Sequence, residues 1–296
     1  MTGESNYALP KYSPAFLNAG IQATIKRHCL KGVSEIELKH ASFVIGFAGK
    51  GGTGKTSLAG LTVRYLKERK RGPVLAVDAD SNSCLNEALG VAVHSTIGGL
   101  REESLTAVRA GGARPGGMSM EELFDYQVQQ SLTEAEGFDL LVMGRPEGPG
   151  CYCAANNIIR KYTDKLSDEY PYVVIDNEAG MEHLSRKTTH KVDLLLVVSD
   201  ASKKGIHTAR RIDSLVDELK LDVGKRLFVI NRVPSGREEE MKEAARQAGV
   251  EAAGIVPEDR TLLDNDMEGV PVLELPPDSP AVKAFYAILD GLNIPQ

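Results

Sequence analysis

Three things are scarce or absent in this 296-residue sequence: an excess of basic charge, long hydrophobic runs and cysteine. Lysine and arginine number 35 against 41 aspartates and glutamates, so the net charge is −6 and gives no global attraction to nucleic acid or anionic lipid. The longest uncharged apolar run, Leu194 to Val198, is far shorter than the ~20 residues that cross a bilayer, and no apolar secretory stretch opens the chain. The composition therefore predicts a cytoplasmic protein that binds neither nucleic acid nor a membrane.

Cysteine occurs four times, which is too few for the disulfide framework of a secreted domain. In a reducing cytosol, clustered thiols more often bind metal or carry out redox chemistry. Cys151 and Cys153 form such a cluster, with only Tyr152 between them. Cys29 and Cys84 lie alone, and because a lone cysteine is usually a small buried hydrophobic residue, we expect both to be buried.

Short apolar runs rich in valine, isoleucine and leucine recur along the chain, with helix-length segments between them. Strands that are apolar on both faces and alternate with helices indicate a parallel sheet that is covered on both sides. The sequence therefore predicts an α/β fold with a doubly wound, mostly parallel sheet. The six candidate strands are Phe43–Ala48, Val74–Asp78, Leu140–Met143, Tyr172–Asp176, Leu194–Val198 and Leu227–Asn231.

The chain is expected to have two parts. Residues 1–40 form an N-terminal extension of unknown role, with an amphipathic helix around residues 16–25, and residues 41–296 form a single domain. The glycine-rich stretch Ala110–Gly117 is the clearest internal linker, inside a less regular region from Ser95 to Glu136. A terminal helix around Val282 to Leu292 has an apolar stripe but few cations, so we expect it to dock on the core and not on a membrane.

A glycine-rich loop follows the first candidate strand directly. Its residues are Gly49, Lys50, Gly51, Gly52, Thr53, Gly54, Lys55 and Thr56, which fit the phosphate-loop pattern Gly-x4-Gly-Lys-Ser/Thr between a strand and a helix. The glycines allow backbone N–H groups to surround phosphate oxygens at a helix N-terminus, where the helix dipole favours negative charge. In this pattern Lys55 bridges the β- and γ-phosphates, and the Thr56 hydroxyl binds Mg²⁺.

The same loop also fits a dinucleotide-binding pattern, Gly-x-Gly-x-x-Gly, through three of its glycines. The second strand ends in Asp78, as a dinucleotide site requires. Two features favour the phosphate loop. A pyrophosphate-binding turn does not need the Lys55-Thr56 pair, and Asp176 ends another apolar strand, where a nucleotide hydrolase places a carboxylate associated with Mg²⁺.

Lys50, the second residue of the loop, makes the sequence resemble the deviant Walker A ATPases. That group includes nitrogenase iron protein and the cell-division and plasmid-partition ATPases. The resemblance implies that Lys50 reaches the phosphates of a partner subunit in a nucleotide-sandwich homodimer, so that dimerisation is part of catalysis. It also implies that Asp80 orients the attacking water and that Asp176 holds Mg²⁺ through a coordinated water.

The chain departs from the commoner pattern of that group at two places. Ser81 stands where proline is more frequent. The segment Asp176–Gly180 resembles the second switch of these ATPases, but it has Asn177-Glu178 where Thr-Pro is commonest. These departures leave open which residue positions the attacking water. An acid at a strand end can also cap a helix N-terminus, and that alternative stays open for Asp78.

The base is predicted from Asn231-Arg232-Val233-Pro234, which follows the last candidate strand. A guanine site normally presents Asn-Lys-x-Asp, and the acid that reads guanine is absent here. In the resembling family an asparagine at this place contacts adenine, which implies ATP and ADP as the nucleotides and Asn231 as a base contact. A plain turn residue at a strand end is the alternative reading of Asn231.

The thiol pair sits where a loop rich in glycine and proline enters the apolar-periodic stretch of residues 158–166. We therefore expect Cys151 and Cys153 at a helix N-terminus, whose field favours the metal-binding thiolate form. Two thiolates are too few for a tetrahedral metal site, but a twofold dimer brings two such pairs together. The metal would then lie on the dimer axis.

Two segments, Met143 to Asn157 and Asp176 to Arg186, closely resemble the CooC-type nickel-insertion ATPases. The likeness runs from about Phe43 to the C-terminus and fades across Ser95–Glu136. It implies that Cys151 and Cys153 of two protomers bind one Ni²⁺, or Zn²⁺ in its place. It also implies a nickel client, carbon monoxide dehydrogenase or the related acetyl-CoA synthase. The expected function is that of an ATP-hydrolysing nickel metallochaperone.

Two other functions are alternatives. An iron-protein-like reductase would carry an iron-sulfur cluster between subunits, but in that family each protomer supplies two cysteines that are well separated in sequence. A positioning ATPase without metal would rely on a basic DNA-binding face or a basic membrane-seeking terminal helix. His183, His190 and His207 have no ligand spacing and are expected to be ordinary surface or core residues.

Overall fold

The computed structural model describes residues 42–69, 72–109, 119–145, 151–178 and 191–295. Several predictions fall outside these ranges, namely the N-terminal extension with its helix, the linker at residues 110–117, Cys29, His183 and His190. They stay predictions, as does the division of the chain at residue 40.

The described residues build one eight-stranded sheet with the strand order β3-β4-β2-β5-β1-β6-β7-β8. All neighbouring strands are parallel except β3 and β4. The six candidate strands are confirmed as β1, β2, β4, β5, β6 and β7, and the expected doubly wound, mostly parallel sheet is confirmed with them. The strands are β1 Phe43–Gly49, β2 Val74–Ala79, β3 Thr133–Ala135, β4 Phe138–Val142, β5 Tyr172–Asn177, β6 Lys191–Asp200, β7 Asp222–Val233 and β8 Ala252–Pro257.

Helices connect most of the strands and flank the sheet. They are α1 Lys55–Arg69, α2 Leu85–Leu89, α3 Ile97–Arg109, α4 Met120–Ser131, α5 Cys151–Ser167, α6 Lys203–Glu218, α7 Glu238–Gln247, α8 Arg260–Glu268 and α9 Pro280–Asp290, with a 3₁₀ turn at Val272–Glu274. No helix among the described residues is both long and apolar enough to cross a bilayer.

The core lies on both faces of the sheet, as the apolar strands require. Alternate residues of β2 show this directly, because Ala76 packs in the cluster of α1 and α9, whereas Leu75 and Val77 pack in the cluster of α5. Helices α6 and α7 cover the β6–β7 half of the second face. Phe285 of α9 is fully buried, which confirms that the terminal helix docks on the core.

The register of the sheet brings the functional strand ends together. Asp176 of β5 lies opposite Asp78 of β2 on one side and opposite Phe47 of β1 on the other. Asp200 of β6 lies opposite Asn231 of β7. Because the carboxyl ends of parallel strands meet at one edge, the residues that follow β1, β2, β5 and β7 share one crevice, and α1 begins beside it.

The sequence did not reveal every element. Strand β3 is an antiparallel edge of three residues, and β8 is a mostly half-buried strand that contains Gly254. The stretch from Ser95 to Glu136, expected to be less regular, contains the helices α3 and α4. Helix α4 begins with a capping box, in which the Ser119 side chain accepts from the Glu122 backbone N–H and the Glu122 carboxylate accepts from the Ser119 N–H.

Candidate functional site

The loop between β1 and α1 is held against its neighbours so closely that two glycines are required. A Cβ on Gly49 would lie 2.4 Å from the carbonyl oxygen of Val198, in the adjoining strand β6. Gly54 has a φ of +87°, and a Cβ there would lie 2.4 Å from the side-chain nitrogen of Asn231. Gly51 and Gly52 form the exposed turn of the loop. The backbone is therefore free to approach a ligand closely, as a phosphate cradle requires.

Lys55 is the first residue of α1, and its side chain lies inside the loop. The residue is 7% exposed, and its Nζ donates a hydrogen bond to the Lys50 carbonyl oxygen at 3.3 Å. Burial lowers the pKa of Lys55, although the nearby carboxylates of Asp176, Asp80 and Glu178 act in the opposite direction. A desolvated ammonium group at this position is suited to phosphate oxygens.

Lys50 itself is exposed, and only its backbone takes part in holding the loop. Its carbonyl oxygen accepts from the Thr53 hydroxyl at 2.9 Å as well as from Lys55. The structure thus separates the two lysines of the motif, with Lys55 turned inward and Lys50 exposed. The action of Lys50 on a neighbouring subunit stays a prediction.

Thr56 and Asp176 form the part of the site that fits Mg²⁺. The Thr56 hydroxyl donates to Asp176 Oδ2 at 2.6 Å. Asp176 is 2% exposed, and its other oxygen, Oδ1, is buried without a hydrogen-bond partner among the described residues. Burial raises the pKa of Asp176 to about 6, against the opposing effect of the Thr56 hydrogen bond. A hydroxyl and a carboxylate with an unsatisfied oxygen are the hard donors that Mg²⁺ prefers.

Asp78 lies beside this pair but serves the backbone. It is fully buried, its Oδ1 accepts from the Asp80 N–H at 3.0 Å, and its Oδ2 accepts from the Leu85 N–H at 2.9 Å. Burial raises its pKa to about 7. The alternative that remained open in the sequence, a carboxylate satisfying the start of a helix, is the role that Asp78 has at α2.

Asp80 shapes the turn after β2. Its Oδ1 accepts from the backbone N–H of Asn82 at 2.8 Å and from the Asn82 side-chain amide at 3.1 Å. Next to it, the Ser81 hydroxyl donates to Glu178 Oε1 at 3.4 Å, which links the residues after β2 to those after β5. Asp80 thus lies in the crevice near Lys55, and its action on water stays a prediction.

Asn231 holds the phosphate loop from the side of β7. The residue is 6% exposed, and its Nδ2 donates to the Thr53 carbonyl oxygen at 2.9 Å. Asn231 and Pro257 also line a pocket with Ser57, Glu258 and Leu262, directly beside the loop. Asn231 is therefore more than a turn residue at a strand end, because it holds the loop, and its contact with a base stays a prediction.

Sequence reasoning named Arg232 and Asn177 only as members of motifs and missed the contacts that their side chains make. Arg232, with a φ of +56°, donates from Nη1 to the Gly52 carbonyl oxygen at 3.1 Å, so that β7 contacts the loop twice. Asn177 donates from Nδ2 to the Phe47 carbonyl oxygen at 2.9 Å, which fixes the end of β5 to β1. Arg232 follows Asn231 and Asn177 follows Asp176, two residues that the motifs indicate. No pattern in the sequence shows which way the side chains of Arg232 and Asn177 point.

The predicted thiol pair lies at the expected helix. Helix α5 begins at Cys151, and Cys153 is in its first turn, whereas the side chains of both lie outside the part of the chain that can be described. Within the described ranges, no group of three or more His, Cys, Asp or Glu side chains could hold a metal ion. His207 is exposed, as expected.

The expectation for Cys84 was wrong, because this lone cysteine is exposed. It precedes α2 in the turn after β2, beyond the carboxyl end of that strand, and belongs to none of the three apolar clusters. Partial burial and the neighbouring carboxylates of Asp78 and Asp80 raise the pKa of its thiol, which disfavours the thiolate.

Comparison with known proteins identifies relatives over most of the chain. The model of the CobQ/CobB/MinD/ParA nucleotide-binding domain matches residues 44–272. An ATP-binding protein of Methanocaldococcus jannaschii is 41% identical over 84% of this chain and 98% of its own length. The carbon monoxide dehydrogenase accessory protein CooC of Rhodospirillum rubrum is 31% identical over 59% of this chain and 69% of its own length.

Solved structures show the same fold at lower identity. The cell-division ATPase MinD of Pyrococcus furiosus has a TM-score of 0.62 and 22% identity, over 85% of this chain and 98% of its own. MinD of Pyrococcus horikoshii, solved with Mg-ADP, has a TM-score of 0.60 and 22% identity, over 85% of this chain and 96% of its own. Both likenesses concern the architecture of the sheet and its helices.

Proposed function

Because this chain belongs to the CobQ/CobB/MinD/ParA family of ATP-binding P-loop proteins, we propose that it hydrolyses ATP in a homodimer and uses that cycle to deliver nickel to a metalloenzyme. One observation carries the metal half of the proposal. The pair Cys151 and Cys153 opens helix α5, in a chain related to a carbon monoxide dehydrogenase accessory protein. The nucleotide half rests on the geometry of the phosphate loop.

On the nucleotide side, each residue of the crevice has a separate task. The loop N–H groups and the inward ammonium of Lys55 bind the phosphates, while Asn231 fixes the loop and faces the base. Thr56 and Asp176 would hold Mg²⁺, which offsets charge on the transferring phosphoryl group when bound. Asp80 is the candidate that orients the attacking water, and Lys50 of a second subunit adds positive charge from outside.

On the metal side, the thiol helix is packed against the strand that leads into the crevice. Ile159 and Tyr162 of α5 belong to the same apolar cluster as Val77 and Ala79 of β2, one residue before and after Asp78. Since packed cores transmit shifts of secondary structure as units, movement of the turn after β2 is passed to the start of α5. This packing supports a coupling of nucleotide state to the thiol pair.

Two cysteines from each subunit make the four-thiolate set that a tetrahedral Ni²⁺ or Zn²⁺ cargo requires. ATP bound between the subunits draws them together, and hydrolysis loosens the shared thiolates so that the ion passes to the client. The client class is a nickel enzyme such as carbon monoxide dehydrogenase or acetyl-CoA synthase. The coupling must be reciprocal, so metal changes the affinity for nucleotide by the same factor as nucleotide changes the affinity for metal.

The test is a titration with Ni²⁺ and then Zn²⁺, followed by native mass spectrometry and light scattering, with and without ADP or ATP. We expect one ion per two chains and a metal-dependent rise in dimer. The variant Cys151→Ser/Cys153→Ser should lose both while keeping nucleotide binding by the monomer, and Cys84→Ser, which removes an exposed thiol, should retain both. One ion per single chain, or metal binding that survives in the double variant, would contradict the shared site.

A further inference from the structure

The first three turns of helix α6 expose basic side chains. They are Lys203, Lys204, His207, Arg210 and Arg211, and we call this set the basic face of α6. Arg210 is paired with Asp213 at 2.6 Å, whereas Lys203, Lys204 and Arg211 have no ion pair within the described residues. A local cationic surface of this kind stands out in a chain whose net charge is −6.

The placement of these cations is unfavourable for the helix itself. The N-terminus of a helix carries partial positive charge, so acidic residues stabilise the first turn and basic residues destabilise it. The first turn of α6 contains no acid, and it begins with Lys203 and Lys204. Residues that oppose helix stability at an exposed position indicate a use outside the fold.

The face is rigid and lies close to the nucleotide crevice. Its inner side is anchored by Ile206, Ala209 and Ile212, which are all buried. Its start is fixed by Ser202, whose hydroxyl accepts from the Gly205 N–H at 2.9 Å. Ser202 follows two residues after Asp200, which lies opposite Asn231 in the sheet. A partner bound to this face would therefore contact the start of α6, next to Asp200. Asp200 lies opposite Asn231, which holds the phosphate loop.

We propose that the basic face of α6 is a docking surface for an acidic patch on a partner protein. Complementary charge steers such an encounter and fixes its orientation. The size of the face fits a local patch, since the helical rise makes the stretch from Lys203 to Arg211 about 12 Å long. The exposed acid Glu218 ends it on the same helix, beside Asp217, which is paired with Arg226 at 2.9 Å, and Glu240 of α7 lies near Lys203.

These acidic borders separate a protein partner from nucleic acid. A duplex laid along the helix runs on for many phosphates past Arg211 and meets the exposed carboxylate of Glu218, which repels them. The helix also exposes no Phe, Tyr or Trp side chain on which a base could stack. A folded partner with a compact group of aspartates and glutamates meets neither obstacle. This inference does not depend on nickel being the cargo.

The test measures binding of a fluorescein-labelled helical peptide with glutamates along one side, by anisotropy at about 50 mM and about 300 mM salt, where screening differs strongly. The first variant is Lys203→Gln/Lys204→Gln/Arg211→Gln. The matched control is Arg237→Gln/Lys242→Gln/Arg246→Gln, which removes three exposed cations, one at the N-cap of α7 and two within it, that are paired with glutamates of that helix. A labelled DNA duplex is measured in parallel.

We expect the wild type to bind the peptide at low salt and to lose most of that affinity at high salt. The α6 variant should bind at least about tenfold more weakly, and the α7 control within about twofold of the wild type. The α6 variant should unfold at no lower temperature than the wild type, because it removes cations from a helix N-terminus. Equal weakening in both variants, or no peptide binding by the wild type, would overturn the proposal. So would tighter binding of the duplex that is lost in the α6 variant.

Discussion

Asp176 is the residue at which stability and nucleotide chemistry oppose each other. The proposed Mg²⁺ site needs a charged carboxylate beside Thr56, yet burial penalises the charged form of Asp176. In an unfolded chain the carboxyl ionises near pH 4, whereas in the folded protein its pKa is about 6. The folded state therefore gains from protonated Asp176 at low pH, and this advantage is lost as the pH rises through about 6. Asp78, with a pKa of about 7, likewise stabilises the folded state at low pH and loses that effect as the pH rises.

We expect the nucleotide-free protein to lose stability from these two groups between about pH 4 and pH 7. The variant Asp176→Asn keeps an acceptor for the Thr56 hydroxyl but cannot ionise, so it should be more stable than the wild type at pH 8, by about 1–3 kcal/mol. Urea unfolding at a series of pH values measures this difference. The same variant should lose Mg²⁺-dependent hydrolysis.

Asp125→Asn is the control with the opposite sign. Hydrogen bonds from Lys165 and Tyr162 lower the pKa of Asp125, so this carboxylate stabilises the folded state above its unfolded pKa. Its removal should lower stability at pH 8 and leave hydrolysis intact. An Asp176→Asn protein that is less stable than the wild type across the whole pH range would show that the buried charge is compensated in the folded state.

Asn231 and Arg232 allow a second comparison of single residues. Asn231→Ala leaves the Thr53 carbonyl oxygen without its donor in a buried place, which costs about 1–3 kcal/mol of unfolding free energy. Arg232→Ala removes an exposed bond to Gly52, and we expect about 1 kcal/mol or less. Nucleotide affinity should fall more for Asn231→Ala, and calorimetric titration with ADP measures it. Equal losses of affinity would mean that the two contacts only hold the loop and that Asn231 has no part in the base site.

At the scale of elements, the loop between β1 and α1 depends on the fit of one glycine. Gly54→Ala places a methyl group against the Asn231 amide and forces a positive φ on alanine. Gly236 has a similar φ of +81°, and a Cβ there would meet no atom within 4 Å, so Gly236→Ala carries the backbone strain alone. We expect Gly54→Ala to be the less stable by roughly 1–3 kcal/mol and to bind nucleotide at least about tenfold more weakly.

Urea unfolding and titration with a fluorescent ADP analogue measure the two effects in parallel. Gly236→Ala should bind the analogue as the wild type does, because the added methyl group would contact no residue of the loop. The same stability loss in both variants, with unchanged affinity, would mean that the Asn231 side chain moves aside at no cost.

The elements also show which parts of this protein are predictable from sequence. Strands buried on both faces leave continuous apolar runs, and each of the six runs is a strand. Strand β3 was missed because three half-exposed residues at an antiparallel edge carry no such run. Helix α4 carries a local signal, Ser119 followed by Glu122, and this spacing alone is typical of a helix start.

The candidate site divides in the same way. Gly54 and Lys55 could be predicted from the sequence, because they belong to a motif of neighbouring residues with fixed spacing. Contacts such as Arg232 to Gly52 and Asn177 to Phe47 join segments more than 100 residues apart. These contacts depend on the strand order, which places β1 between β5 and β6. A pattern of neighbouring residues carries no information about that order, so the contacts could not be predicted.

At the scale of the whole molecule, the exposed Lys50 raises the question of which subunit it serves. The Lys55 ammonium group already occupies the interior of the loop, and the Lys50 side chain is exposed. If Lys50 acts on its partner's nucleotide, Lys50→Ala should keep nucleotide binding and lose hydrolysis by roughly 10³-fold, as for other cations supplied from outside the site. Such a loss alone does not distinguish the two arrangements.

Mixing two inactive proteins makes that distinction. The first is Lys50→Ala, which retains Asp176, and the second is Asp176→Asn, which retains Lys50. In a mixed dimer, the crevice of the Lys50→Ala subunit has its own Asp176 and receives Lys50 from its partner, so one complete site is restored. Random pairing at equal concentrations should return roughly a quarter of the wild-type ATPase rate, because half of the dimers are mixed and each has one complete site of two. A mixture as inactive as its components would contradict a Lys50 supplied by the partner and would place the action of Lys50 within its own chain.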